Sequence, residues 1–226
     1  MSAIAALPFL PEAVIFDMDG LMIDSERVSI ACWRQAAREL RTTLPEGFFL
    51  RMVGLGERDC HVLLQKHVDD AARLDALSAR CHQLYEDSTR DGLPLRPGLL
   101  ELLDLLQAHR VPRAVATSTR QPRASRTLAA CGLLDRFQAV VTSSDVEHPK
   151  PAPDIYLLAA RRLGRAPDRC LALEDSPAGT RAALAAGMTV IQVPDLVAPD
   201  DALRALGHRI VDSLHDARLL LAPLLH

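Results

Sequence analysis

Five short apolar runs, spaced by helical patterns, constrain this chain more than any other feature. They are Val14–Phe16, Val111–Ala116, Phe137–Val141, Cys170–Leu173 and Met188–Val193. Each is strand-length and rich in β-branched or apolar residues, so each reads as a strand. Between them lie helical patterns: a Leu99, Leu102, Leu103, Leu106 face, then Arg123–Ala130 closed by Gly132, then Asp154–Leu163 stopped near Gly164. Ser176 is a good N-cap with Pro177 at the first helical position, and Gly187 closes that helix. A last helix is expected over Leu214–Leu221. Strands alternating with helices predict an α/β fold, a parallel sheet built of right-handed βαβ units.

One interval breaks the alternation. From Ser25 to about Gly92 every periodic segment is helical: Ser29–Leu40, His61–Val68, and Ala71–Tyr85 with Leu74, Leu77, Cys81 and Leu84 on one face. Asp91-Gly92-Leu93-Pro94 and Pro97-Gly98 then punctuate the chain. The pattern predicts an α-helical domain (25–93) inserted into a core domain made of 1–24 and 94–226. Asp24–Glu26 and Asp91–Pro97 are the expected hinges.

Composition narrows the function classes. Half of the 226 residues are hydrophobic (49%) but only 4% are aromatic, so the core rests on Leu, Ala, Val and Ile. The net charge of −3 and the lack of a basic block argue against nucleic acid as a partner. Five scattered cysteines with no C-x-x-C pair argue against a disulfide framework or a zinc site. The N-terminal segment lacks the basic region of a signal peptide, and no apolar stretch approaches the ~20 residues that span a bilayer. A cytoplasmic protein without a membrane partner is expected.

The first strand stops at Asp17-Met18-Asp19-Gly20. Two carboxylates one residue apart point roughly the same way if the backbone stays extended, and like charges that close require a cation or a shared proton. Polar residues close other strands too: Thr117-Ser118-Thr119, Thr142-Ser143-Ser144-Asp145 and Glu174-Asp175. Lys150 sits in the rigid turn His148-Pro149-Lys150-Pro151 before a helix. In a parallel sheet all these ends share one edge, where α/β folds bind ligands. Carboxylates without sulfur or imidazole suit a hard cation, and a hydroxyl, backbone amides and a lysine suit a phosphate.

Taken in order, Phe16-Asp17-Met18-Asp19-Gly20, Thr117-Ser118, Lys150-Pro151 and Glu174-Asp175-Ser176-Pro177-Ala178-Gly179 resemble the four motifs of the haloacid dehalogenase superfamily. The helical insert after the first motif resembles the cap of the subgroup containing β-phosphoglucomutase and many sugar-phosphate phosphatases. The resemblance implies a Rossmann-like core and a Mg²⁺-dependent phosphatase acting on a small phosphorylated metabolite. Asp17 would be the nucleophile that forms an aspartyl-phosphate, and Asp19 the acid and base. The metal would be held by Asp17, the Asp19 backbone carbonyl and Asp175, with Glu174 adjacent or acting through water. Lys150 would neutralise phosphoryl charge; Thr117 and the Ser118 amide would hold phosphate oxygens. The Asp at position 19 favours phosphoryl transfer over C–Cl hydrolysis, whose leaving group needs no acid.

The cap is where this sequence departs from β-phosphoglucomutase. Ser29, Val53 and Glu57 stand where the mutase carries histidine, lysine and arginine, which favours hydrolysis of a sugar or polyol phosphate over a phosphomutase reaction. In Met52-Val53-Gly54-Leu55-Gly56-Glu57-Arg58-Asp59, Arg58 is a candidate for a second anionic group of the substrate, and Arg51 a weaker one. His61, His67 and His82 read as surface or boundary residues, Trp33 as cap packing, and His148 as a surface residue rather than part of the site. A receiver-type signalling domain uses similar residues but carries its phosphorylated Asp after a middle strand, and no Asp directly follows Val111–Ala116. A monomer or weak homodimer is expected.

Overall fold

A computed structural model describes residue 7 and residues 9–45, 47–53 and 57–225, the side chains of 57–59 excepted. Six parallel strands form one sheet in the order β3-β2-β1-β4-β5-β6: β1 Ala13–Phe16, β2 Arg113–Thr117, β3 Ala139–Thr142, β4 Cys170–Glu174, β5 Thr189–Gln192 and β6 Arg209–Ile210. From β1 the chain winds outward through β2 and β3. It then returns to the other side of β1 for β4, β5 and β6. The direction reverses between β1 and β4, and in open α/β sheets that reversal opens a crevice at the carboxyl ends of the strands.

The insert comprises α1 Ser25–Glu39, a 3₁₀ turn at Phe48–Met52, α2 Glu57–Gln65 and α3 Ala71–Thr89. Around the sheet lie α4 Leu99–Ala108, α5 Arg123–Ala130, α6 Asp154–Arg162, α7 Pro177–Ala185, the short α8 Asp201–Arg204 and α9 Leu214–Leu221. Strand alternation divides the core. Val14, Phe16, Val115, Leu171 and Leu173 meet the leucines of α4 and α9 on one face. Ala13, Ile15, Ala114, Ala116 and Ala172 meet Ala159, Ala160, Ala182 and Ala183 of α6 and α7 on the other. Small residues on the second face bring those helices close to the sheet, which is how a chain poor in aromatics stays densely packed. The insert carries its own core of Cys32, Ala36, Phe48, Leu64, Leu74, Leu77, Cys81 and Tyr85, with Trp33 packed against it.

Several boundaries differ from the sequence reading. Asp70 caps α3, accepting from the Ala72 and Arg73 amides, so α2 stops at Gln65 rather than Val68. The first insert helix begins at Ser25, four residues before its apolar pattern does. The second strand starts at Arg113 and includes Thr117; buried Arg113 is satisfied by the carbonyls of Arg136 (3.0 Å) and Val111 (3.2 Å). The edge strand β6 and the one-turn α8 are too short to leave a periodic signal. Among the described residues no helix is long and apolar enough to cross a membrane.

Candidate active site

The crevice between β1 and β4 gathers Asp17, Lys150, Glu174 and Asp175, drawn from three separate stretches of chain. Asp17 follows β1, and its amide donates to the Leu173 carbonyl (3.0 Å), which sets it beside the acidic end of β4. Lys150 reaches in from the turn before α6 with its side chain 4% exposed. Its ammonium donates to Asp17 Oδ1 (2.5 Å), Glu174 Oε1 (2.6 Å) and the Ala116 carbonyl (2.9 Å), so all three protons are placed.

The two residues of the acidic pair do different things. Glu174 is fully buried and both its oxygens are engaged. Oε1 accepts from Lys150 and the Tyr156 hydroxyl (2.7 Å); Oε2 accepts from the Asp175 amide, the Ser176 amide and the Ser176 hydroxyl, each at 3.1 Å. The Asp175 carboxylate accepts no hydrogen bond from the described residues, and it lies in the same cluster as those of Asp17 and Glu174, with one oxygen of each within 4.8 Å of the others. Asp17 and Asp175 therefore retain free lone pairs, whereas Glu174 spends its own on Lys150 and the turn.

Two glycines make this packing possible. A Cβ at Gly20, whose φ is +84°, would lie 2.3 Å from Asp175 Oδ2. A Cβ at Gly179 would lie 1.6 Å from Glu174 Oε1. Gly179 is helical, so Ala there gains about 1 kcal/mol of helix propensity, yet the clash with a buried, fully bonded carboxylate outweighs it. Gly179→Ala is expected to lower Tm, the reverse of the propensity prediction; a Tm equal to or above that of the unaltered protein would show that Glu174 has room to move.

Burial is the chief cause that raises the Asp17 pKa above the ordinary carboxylate range, with Glu174 and Asp19 adding to it and Lys150 opposing. Burial likewise raises Asp175, reinforced by Asp17, Glu174 and Glu26. Burial pushes Lys150 down, but Asp17 and Glu174 outweigh it and hold the ammonium charged. Three carboxylates against one ammonium leave a buried excess of negative charge. A hard divalent cation relieves it and matches an all-oxygen donor set, so the residues present fit such an ion.

The sign of the resulting pH dependence follows. With folded-state values raised above the unfolded value of about 4, the folded protein binds the extra protons. This contribution to stability is complete below the unfolded pKa and is lost as pH rises through the folded values. In chelator, the carboxylate contribution to Tm is expected to fall as pH rises above the unfolded value of about 4, and Mg²⁺ should restore more stability the higher the pH. Melting curves with and without Mg²⁺ that differ by a constant amount as pH rises from that value would contradict this.

Asp19 stands apart. Its Oδ2 accepts from the hydroxyls of Thr119 (2.7 Å) and Thr117 (3.2 Å), and Thr117 Oγ1 accepts from the Thr119 amide (3.0 Å). Ser118 is exposed, and its carbonyl accepts from the Ser143 hydroxyl (2.7 Å). Thr119 and Tyr156 are contacts that sequence reasoning missed. Thr119 was visible in the Thr-Ser-Thr run, whereas Tyr156 is one apolar residue in a helix and gives no local sign. His148 is exposed and pairs with Asp154 (3.0 Å). Arg51 is exposed beside the Phe48 ring. Gly54–Gly56 and the side chains of Glu57 and Arg58 lie outside the described residues.

Residues 11–187 match the family model of the haloacid dehalogenase-like hydrolases. The chain is 31% identical over 210 residues to a phosphorylated carbohydrates phosphatase of Thermotoga maritima, covering 93% of this chain and 90% of that protein. It is 32% identical over 185 residues to a fructose-1-phosphate phosphatase of Escherichia coli, covering 80% of this chain and 95% of that protein. A crystal structure of a putative β-phosphoglucomutase from Thermotoga maritima superposes with a TM-score of 0.77 at 30% identity, covering 94% of this chain and 97% of the other.

Proposed function

The chain belongs to the haloacid dehalogenase-like hydrolases, and from that premise we propose that it is a Mg²⁺-dependent phosphatase that hydrolyses a small sugar or polyol phosphate through an aspartyl-phosphate. The observation that carries this is the separation of the two aspartates: Asp17 lies in the Lys150 pocket, whereas Asp19 hangs from two hydroxyls outside it. A nucleophile must meet phosphorus with its charge exposed, and an acid–base group must reach the leaving oxygen without competing for the same place.

In this reading an Asp17 carboxylate oxygen bonds to phosphorus as the ester oxygen leaves with the proton of Asp19. Asp19 then takes a proton from the water that hydrolyses the acyl phosphate, and Asp17 is freed. Lys150 offsets phosphoryl charge, and Thr117 and the Ser118 amide hold equatorial oxygens. Asp17, Asp175 and the Asp19 backbone carbonyl would hold Mg²⁺, which when bound neutralises further charge on the transferring group. Glu174 keeps Lys150 in place. The helical insert 25–93 acts as a cap over the crevice, with Arg58 a candidate substrate contact.

The names of the relatives, phosphatases of phosphorylated carbohydrates and of fructose 1-phosphate, support the substrate class. A phosphomutase shares the acyl-phosphate step but hands the phosphoryl group to a sugar; the residues Ser29, Val53 and Glu57 speak against it. Phosphate release should be measured across a panel of sugar and polyol phosphates with Mg²⁺ and then with chelator. Mg²⁺-dependent release from some members is expected; release from none above buffer would refute the proposal.

A further inference from the structure

Two limbs of chain join the cap to the core, and the structure shows what they are fastened to. The first runs from Asp19 to Asp24 into α1; the second runs from Leu93 to Gly98 into α4. They pair with each other: Ile23 bridges Leu95 in antiparallel fashion, the Asp24 amide donates to the Pro94 carbonyl (2.9 Å), and the Arg96 amide donates to the Met22 carbonyl (2.9 Å). These bonds tie limb to limb.

One buried side chain ties both limbs to the core at once. The side chain of Asp195, in the loop after β5, is 1% exposed and lies between two guanidinium groups. Arg27 Nη1, in the first turn of α1, donates to Asp195 Oδ1 (2.8 Å) and Oδ2 (3.1 Å). Arg96 Nη1, on the second limb, lies 2.8 Å from the same Oδ1. Asp24 adds a second carboxylate to Arg27 at 3.0 Å. The strand that leads to Asp195 also holds the acidic turn: the Val193 amide donates to the Glu174 carbonyl (2.6 Å), and Gln192 Nε2 donates to the Asp175 carbonyl (3.0 Å).

We propose that Asp195 is a positioning residue, a buried carboxylate that clamps both cap limbs through Arg27 and Arg96 and so sets where Asp19 stands relative to Asp17. Asp19 is the first residue of the clamped limb, and the backbone turns back on it directly, with Ile23 bridged to Asp19 and the Gly20 amide donating to the Ile23 carbonyl (3.0 Å). Arg27 belongs to the cap and travels with it. Arg96 belongs to the core side and keeps Asp195 paired when Arg27 leaves. The Arg27–Asp195 contact is therefore the one that a swing of the cap breaks and remakes. The inference rests on the phosphatase reading for its catalytic consequence, although the clamp itself does not depend on it.

The test uses Arg27→Ala, Arg27→Lys, Asp195→Asn and the Arg27→Ala/Asp195→Asn double variant of the full chain. Arg27 is half exposed, so its variants are expected to fold with an unchanged Tm. Two esters separate the role from general damage: a polyol phosphate, whose alkoxide needs the Asp19 proton, and p-nitrophenyl phosphate, whose nitrophenolate leaves without one. Small misplacement of a catalytic group costs up to about a hundredfold, so Arg27→Ala and Asp195→Asn should lower kcat/KM on the polyol phosphate, which reports transfer to Asp17 and not the later hydrolysis common to both esters, by about ten- to a hundredfold. They should lower kcat/KM on p-nitrophenyl phosphate several times less. Lys at position 27 should restore most of the loss, and the double variant should be no worse than the poorer single one. Hydrogen exchange of the Asp24 and Arg96 amides should quicken in Arg27→Ala while the sheet amides stay as they are.

Equal losses on both esters, a Lys variant as poor as the Ala variant, or unchanged exchange at both limb amides would overturn the clamp. If the unaltered protein releases phosphate from neither ester, the phosphatase reading fails, and the exchange measurement alone decides the clamp.

Discussion

Asp17→Asn is expected to lower phosphate release by at least about four orders of magnitude, because in the proposed mechanism it removes the covalent nucleophile and leaves only binding and charge stabilisation. The same substitution should leave Tm in chelator unchanged or higher. Asn keeps the shape of Asp and removes one negative charge from a pocket where three buried carboxylates face one ammonium. Lys150 still has Glu174 and the Ala116 carbonyl. The stabilisation that Mg²⁺ confers should shrink, since one of the carboxylates with free lone pairs is gone. Phosphate-release assays and melting curves read both effects. Retention of more than about one per cent of the turnover would mean that another group attacks phosphorus.

Removing the lysine should act in the opposite direction on stability. Lys150→Met keeps length and apolar stem but leaves Asp17 and Glu174 without their buried cation. Deleting one partner of a buried ion pair costs about 3–5 kcal/mol, which for a chain of this size is a fall in Tm of about 6–20 °C. Tyr156 would still donate to Glu174, so the loss falls chiefly on Asp17, the proposed nucleophile. Turnover should drop with it. Adding Asp17→Asn to Lys150→Met should recover part of the lost Tm, because the two residues share one pocket and their effects are not additive. A Lys150→Met protein that melts with the unaltered one would show that this ammonium does not balance the carboxylates. The contrast between the two substitutions, one silent in stability and one costly, distinguishes charge balance from mere packing at the site.

Most of the core fold was legible because its signals are local. A strand such as Ala13–Phe16 declares itself by being apolar throughout and stopping at a charge, and Ser176-Pro177 announces a helix start by cap chemistry that Gly179 completes with its amide at 3.1 Å from the Ser176 hydroxyl. The helical insert was legible as an interval without strands. The edges were less so. Arg209–Ile210 is a strand only because β5 lies beside it, and α1 begins at Ser25 although its first turn has no apolar period.

The sequence by itself determined which polar residues stand at the ends of strands, and hence which few could meet, since a parallel sheet puts all its carboxyl ends on one edge. Only the tertiary structure decided which of those residues bond to which. That Glu174 is consumed by Lys150, Tyr156 and its own turn while Asp175 stays open, and that Asp19 turns to Thr117 and Thr119 rather than to Lys150, depends on contacts between segments far apart in the chain. So does the grip of Asp195 on both cap limbs, 168 residues from Arg27. The reason is physical. Pattern and propensity act over a few residues, whereas the partner of a buried charge is set by which atoms the packed sheet and helices leave within about 3 Å of it.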